Sequence, residues 1–168
     1  RQFLKCQFIE NSFQIDIESS QNHLIRSLTS RRNRVIVVTG FIASDCEERT
    51  VTLGRNGSDY TATLLAQLTQ ADKVTIWTDV AGIYSFDPNL SDSAEAFLSI
   101  NQQLVNELSA LGSPILHSKT LAPLKSTQAH FAVRSTFSPE LKGSTVCQHN
   151  SYAQNTVITH KNALSRFV

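Results

Sequence analysis

Two β-branched runs flanking an amphipathic stretch limit what this chain can fold into. Val35 to Val38 is unbroken and leads into Thr39-Gly40. Such a run predicts a strand covered on both faces, the usual state of a strand inside a parallel sheet. After a polar loop, Thr61, Leu64, Leu65, Leu68 and Ala71 recur at helical spacing, and a second strand pattern follows at Lys73 to Thr78. Strand, helix and strand in that order predict a βαβ unit and an α/β fold.

The flanking segments extend this reading. Leu24, Ile25 and Leu28 mark one face of a helix that runs toward the basic residues Arg31, Arg32 and Arg34, read as a solvated cap. Asp79 to Asn89 is rich in Gly, Asp and Pro, and it leaves the carboxyl end of a predicted strand, where open α/β sheets bind ligands. A plain connection is the alternative. Ser99 and Gln102 form a capping box for a helix buried through Leu104, Val105, Leu108 and Leu111 and closed by Gly112. Ser113-Pro114 restarts a helix with proline at its favoured first position, and Phe131 to Thr136 reads as another strand. After Gly143 the composition turns polar until Thr156-Val157-Ile158, which suggests a linker and the first strand of a further module.

Composition removes several function classes. Fifteen Lys and Arg against fourteen Asp and Glu leave a formal charge of +1, so no global field favours nucleic acid or membrane as a partner. No apolar run approaches the roughly 20 residues that a membrane span needs. Cys6, Cys46 and Cys147 are widely spaced, which argues against a zinc ribbon or a disulfide framework and for a reduced, cytoplasmic setting. The histidines His23, His117, His130, His149 and His160 lack metal-ligand spacing, and His117 reads as a packed helix residue. There is no methionine and residue 1 is Arg, so the chain reads as a piece of a longer protein.

Chemistry concentrates in two segments. Thr52-Leu53-Gly54-Arg55-Asn56-Gly57-Ser58-Asp59-Tyr60 is a glycine-containing loop running straight into the predicted helix. Glycines let backbone approach a ligand, and a helix start offers free N–H groups and a positive dipole end, so this is the geometry of an anion site. The spacing is not that of the G-x-x-x-x-G-K-[ST] phosphate loop, and Ser58 can equally be a helix cap. Arg55 favours binding, because a forked guanidinium suits a carboxylate. The second segment is Trp77-Thr78-Asp79-Val80-Ala81-Gly82-Ile83-Tyr84-Ser85-Phe86-Asp87-Pro88-Asn89. Its polar groups leave a strand end as nucleotide contacts do, while core packing is the simpler reading of Trp77 and an open alternative for Tyr84.

Taken together, these strings resemble the amino acid kinase family, and within it the aspartate kinases. The resemblance is carried by Val38-Thr39-Gly40-Phe41-Ile42, by Arg49-Thr50 through Asp59-Tyr60-Thr61, by Trp77 through Pro88, and by Leu116-His117, Thr120-Leu121 and Pro123-Leu124. It covers about residues 34 to 146 in the family's order and spacing. Asn56-Gly57-Ser58-Asp59 and Ser113-Pro114 look most like the kinase half of the bacterial bifunctional aspartokinase/homoserine dehydrogenases.

The resemblance implies an α/β/α sandwich with a mainly parallel sheet. Residues 1–146 would be its carboxyl-terminal, nucleotide-binding lobe, and residues 147–168 a linker and the start of an ACT-type regulatory region. It implies transfer of the γ-phosphoryl of Mg-ATP to the side-chain carboxylate of L-aspartate, giving 4-phospho-L-aspartate. By carry-over, Arg55 and Ser58 face the aspartate, with Arg55 on its α-carboxylate. Asp59 orients catalytic lysines near the transferring phosphoryl. Thr78, Asp79 and Tyr84 line the ATP site, with Asp87 in the same loop. A homo-oligomer formed through the regulatory region and an NADP-dependent dehydrogenase half outside these residues are implied too.

Two positions depart from the family pattern. Asn89 stands where many relatives have an ATP-contacting arginine, and Pro114 where most have a second phosphate-binding lysine. Lys119 lies five residues further, roughly 140° around a helix, so it does not substitute. The lysine, phenylalanine and two glycines that open the family's kinase domain are missing as well, so the chain by itself is expected to be inactive. A kinase of the same fold acting on glutamate or its derivatives, and a nucleotide-sensing or architectural pseudokinase module, are the rival expectations.

Overall fold

The computed structural model of the chain describes residues 3–28, 35–85, 94–110 and 118–147. They divide into two compact units: the residues up to Asp72 together with Ala122–Ala129, and those from Lys73 to Leu121 together with the residues from His130 onward.

The first unit is built on a four-stranded sheet with the order β2-β1-β3-β4. Strands β1 (Lys5–Ile9) and β2 (Ser12–Asp16) form an antiparallel hairpin. Its turn, Glu10-Asn11, has φ of 48° and 62°, the pair of positive angles that matches hairpin twist. Asp16 then caps helix α1 (Ile17–Leu28), accepting from the Ser19 N–H at 2.9 Å and the Ser19 hydroxyl at 2.8 Å. Leu24 of α1 is buried, whereas Ile25, expected on the same face, points to solvent.

Strand β3 (Ile42–Ser44) runs parallel to β1 and antiparallel to β4 (Thr50–Thr52). Asp45 organises the turn between them, accepting from Arg49 Nε at 2.7 Å and from the Glu47 and Arg49 N–H groups. Burial alone would push its carboxyl up; these donors outweigh burial and hold it below the ordinary carboxylate range. Helix α2 (Gly57–Thr69) closes the unit, ending at Gln70 in the left-handed region and packing on the 3₁₀ turn Ala122–Ser126. Leu4, Cys6, Leu24, Ala43, Val51, Leu53, Leu64 and Leu68 make its core.

The strand expected at Val35 to Val38 does not form. These residues join no ladder, and Val35 and Val37 are 96% and 94% exposed. A β-branched run favours a pleated, covered surface without supplying the neighbouring strand that would cover it. The βαβ reading falls with it, because the strands before α2 and the strand after it belong to different sheets.

The second unit carries a sheet with the order β5-β7-β8-β6. Strands β5 (Lys73–Thr78) and β7 (His130–Ser135) are parallel over their whole length, and β6 (Ser99–Asn101) runs parallel to β8 (Ser144–Cys147), while β7 and β8 are antiparallel. Val74, Ile83, Ile100, Val105, Leu121, Phe131, Val133 and Val146 are buried here. Trp77, expected to pack in a core, is 48% exposed, with the Arg134 guanidinium 5.0 Å from its ring centroid. Helix α3 (Gln102–Ala110) is capped by Asn101, whose Oδ1 accepts the Gln103 N–H at 2.6 Å. The expected cap, Ser99, lies in β6 instead and hydrogen-bonds Cys147 Sγ. A short helix α4 (Ser118–Leu121) follows. Arg31, Arg32 and Arg34, the restart at Ser113-Pro114 and the strand expected at Thr156 to Ile158 lie outside the described residues.

Candidate active site

In the first unit, the glycine loop joins β4 to α2. Gly54 has φ of 75° and accepts the Gly57 N–H at 3.0 Å, a turn that turns the chain into the helix. Asn56 is the N-cap, in the left-handed region at φ 55°, and its side chain makes no capping hydrogen bond. The helix start is therefore not closed by its own cap. Ser58, one alternative for that cap, instead lies within the first turn and is exposed, as is Arg55. A guanidinium, a hydroxyl and a helix start thus face solvent within one short loop, a set able to hold a carboxylate.

Asp59 follows, half-buried, at the third helical position. Burial pushes its carboxyl above the ordinary carboxylate range, and a hydrogen bond from Asn56 acts in the opposite direction without cancelling it. Burial likewise raises the Tyr60 hydroxyl. Close packing fixes the backbone here. A Cβ on Gly57 would lie 2.7 Å from Phe41 Cδ2, and one on Gly40 would lie 3.2 Å from Ser58 Cα, so neither position has room for a side chain without displacing a neighbour.

In the second unit, Thr78 ends β5 and donates from its hydroxyl to Asp79 Oδ1 at 3.0 Å. The segment beyond is pinned by Ser144, which is fully buried. Its Oγ accepts the Ile83 N–H at 2.7 Å and donates to the Phe97 carbonyl at 2.5 Å. Gly82 packs so closely on that hydroxyl that a Cβ there would sit 2.4 Å from it. Tyr84, half-buried, bridges antiparallel to Ala96. Thr78, Asp79 and Tyr84 are thus presented at the carboxyl end of a parallel strand. Asp87, Asn89 and Pro114 lie outside the described residues, while Lys119 is half-buried in α4.

The family profile described as the amino acid kinase family matches residues 4–135. The chain belongs to the amino acid kinase family. Among the relatives of this chain, the bifunctional aspartokinase/homoserine dehydrogenase 2 of Escherichia coli is 37% identical over 145 residues, 86% of this chain and 18% of the relative. The bifunctional aspartokinase/homoserine dehydrogenase of Buchnera aphidicola is 32% identical, over 91% of this chain and 19% of the relative. The solved structure of E. coli aspartokinase III in complex with aspartate and ADP superposes with a TM-score of 0.82 at 35% identity, over 90% of this chain and 34% of that one. The amino acid kinase fold and the aspartokinase resemblance read from the sequence are borne out. The chain spans about a fifth of the bifunctional relatives' length.

Sequence reasoning passed over Phe41, Thr61 and Ser144 as site-building residues. Phe41 and Thr61 fall within the strings that carry the family resemblance, but their work is done through contacts 20 residues apart, and that of Ser144 through one 61 residues apart. It also passed over a cavity of about 610 Å³ lined by Cys6, Gln7, Phe8, Phe13, Asp45, Cys46 and Arg49. None of the expected site residues lines it. Among the described residues, no group of three or more His, Cys, Asp or Glu is placed to hold a metal ion.

Proposed function

We propose that this chain supplies the nucleotide-binding lobe of an aspartate kinase, which transfers the γ-phosphoryl of ATP to the side-chain carboxylate of L-aspartate and yields 4-phospho-L-aspartate and ADP. The observation that carries it is the Gly54–Asp59 loop: an exposed guanidinium, an exposed hydroxyl and a helix start not capped by its own side chain, with a half-buried carboxylate beside them. The likeness to an aspartokinase solved with aspartate and ADP supports it.

In this reading Arg55 grips the α-carboxylate of aspartate and Ser58 hydrogen-bonds the same substrate, which leaves its side-chain carboxylate free to attack phosphorus. One Oδ–Pγ bond forms as the bond from Pγ to the β,γ-bridging oxygen breaks, and ADP departs. Phosphoryl transfer of this kind depends on positioning and charge neutralisation. Asp59 orients the lysines that neutralise the transferring group. Thr78, Asp79 and Tyr84 contact the nucleotide, as does Asp87. Magnesium arrives on the phosphates, the usual state of that ion at phosphoryl-transfer sites.

The lysines are supplied by residues outside these 168, a view supported by the far greater length of the relatives. Residues 1–146 then form the nucleotide-binding lobe and 147–168 a linker and the start of a regulatory region through which copies of the protein associate. A cytoplasmic setting suits this chemistry, and no helix among the described residues is long and apolar enough to cross a membrane.

The test is ADP release by the whole protein encoded in the native reading frame, offered aspartate, glutamate or an acylated glutamate. Aspartate is expected to be the acceptor. Arg55→Ala is expected to raise KM for aspartate about 10- to 100-fold, the equivalent of the roughly 1.5–3 kcal/mol of a hydrogen bond to a charged group. Equal use of glutamate, or no ADP release dependent on aspartate, would sink the reading.

A further inference from the structure

Phe41 holds an uncommon backbone conformation, φ 75°, which is costly for a bulky side chain and persists only where the surroundings impose it. Here they do so from both ends of the glycine loop. The Phe41 carbonyl accepts the Leu53 N–H at 2.8 Å, just before the loop. The Phe41 N–H donates to Thr61 Oγ1 at 3.0 Å, in the helix just after it. The same Thr61 hydroxyl donates to the Gly57 carbonyl at 2.8 Å, and the residue is 3% exposed.

A threonine bonded to a carbonyl four residues back is ordinary in a helix, and Thr69 does the same with Leu65. What separates Thr61 is its second partner, 20 residues away. One hydroxyl thus ties the first turn of α2 to the Gly40-Phe41 turn, and Phe41 ties that turn back to Leu53. Arg55 sits inside the resulting clasp, and Ser58, against which Gly40 packs, sits at its edge.

We propose that Thr61 is a positioning residue for the acceptor loop: its hydroxyl holds the Phe41 turn against the helix start and so sets the placement of Arg55 and Ser58. This rests on the aspartate kinase reading of that loop. Thr61 need not touch the substrate.

Thr61→Val keeps the shape and removes both hydrogen bonds; Thr61→Ser keeps the hydroxyl. In the whole protein, Thr61→Val is expected to raise KM for aspartate by about tenfold or more while KM for ATP stays within about twofold. Thr61→Ser is expected to stay near the parent. Hydrogen exchange of the peptide containing Phe41 is expected to quicken about tenfold in Thr61→Val and not in Thr61→Ser. Ser144→Ala, which loosens the loop carrying Tyr84, serves as the crossed control, raising KM for ATP and sparing aspartate.

An unchanged KM for aspartate in Thr61→Val overturns the proposal, as does an equal rise in both KM values, the mark of general loosening. Exchange at Phe41 that ignores the loss of the hydroxyl overturns it too. If the parent protein releases no ADP with aspartate, the functional reading fails by itself, and the exchange comparison still decides whether Thr61 holds the turn.

Discussion

At Asp59 two effects oppose each other. The third position of a helix favours an anion through the dipole, whereas partial burial penalises the charge, and burial wins. A carboxyl raised in the fold binds its proton more tightly there than in the unfolded chain, so its contribution to stability is full below the unfolded value, near 3.8, and is lost as pH rises through the folded value. Asp59→Asn does not titrate. It is therefore expected to raise the melting temperature at neutral pH, with the advantage shrinking to nothing as pH falls below about 4, while abolishing turnover. Melting curves of parent and variant across that range check the sign, and an advantage that grows toward acid would refute it. Arg55, Ser58 and Asp59 could be singled out as candidates from the sequence because they fall within one short glycine-containing loop and bear charged or hydroxyl side chains. Thr61 and Ser144 could not, because a hydroxyl's role depends on which distant backbone group it meets.

Among elements, legibility followed how local the determinants are. Strands β5 and β7 appeared within a residue of their expected places, and helix α2 appeared where expected but began four residues early, at Gly57, since periodicity and β-branching act over a few neighbours while the first helical turn carries no apolar period. The β1–β2 hairpin went unread. Phe8, Ile9 and Phe13 are largely exposed, so no alternation with a buried face announces the strands, and the turn lacks the Asn-Gly signature of its geometry. Glu10 and Asn11 occupy left-handed angles that cost a residue with a Cβ something, more for Glu than for Asn. The double change Glu10→Asn with Asn11→Gly is expected to stabilise the fold by up to about 1 kcal/mol, read as a higher urea midpoint at unchanged slope. A lower midpoint would mean that the turn is held by something other than its own backbone preference. The Val35 to Val38 stretch failed in the other direction, with strong local preference and no partner strand.

For the molecule as a whole, the residues proposed for the acceptor, Arg55, Ser58 and Asp59, and those proposed for the nucleotide, Thr78, Asp79 and Tyr84, fall in different units, as their order in the sequence already separates them. The chain by itself is expected to release no ADP with aspartate, and the whole protein is expected to release it; aspartate-dependent turnover by these 168 residues would show that no outside lysine is needed. The division into units has a further consequence during synthesis. Residues 122–129 belong with the first unit although they are made after most of the second, and β5 must wait for β7, which begins at His130, before it has its parallel partner. Domains usually close one after another as they leave the ribosome. Here neither unit can be finished until the ribosome has passed residue 129, so a transcript or nascent chain broken at residue 121 would leave two incomplete bodies rather than one sound one.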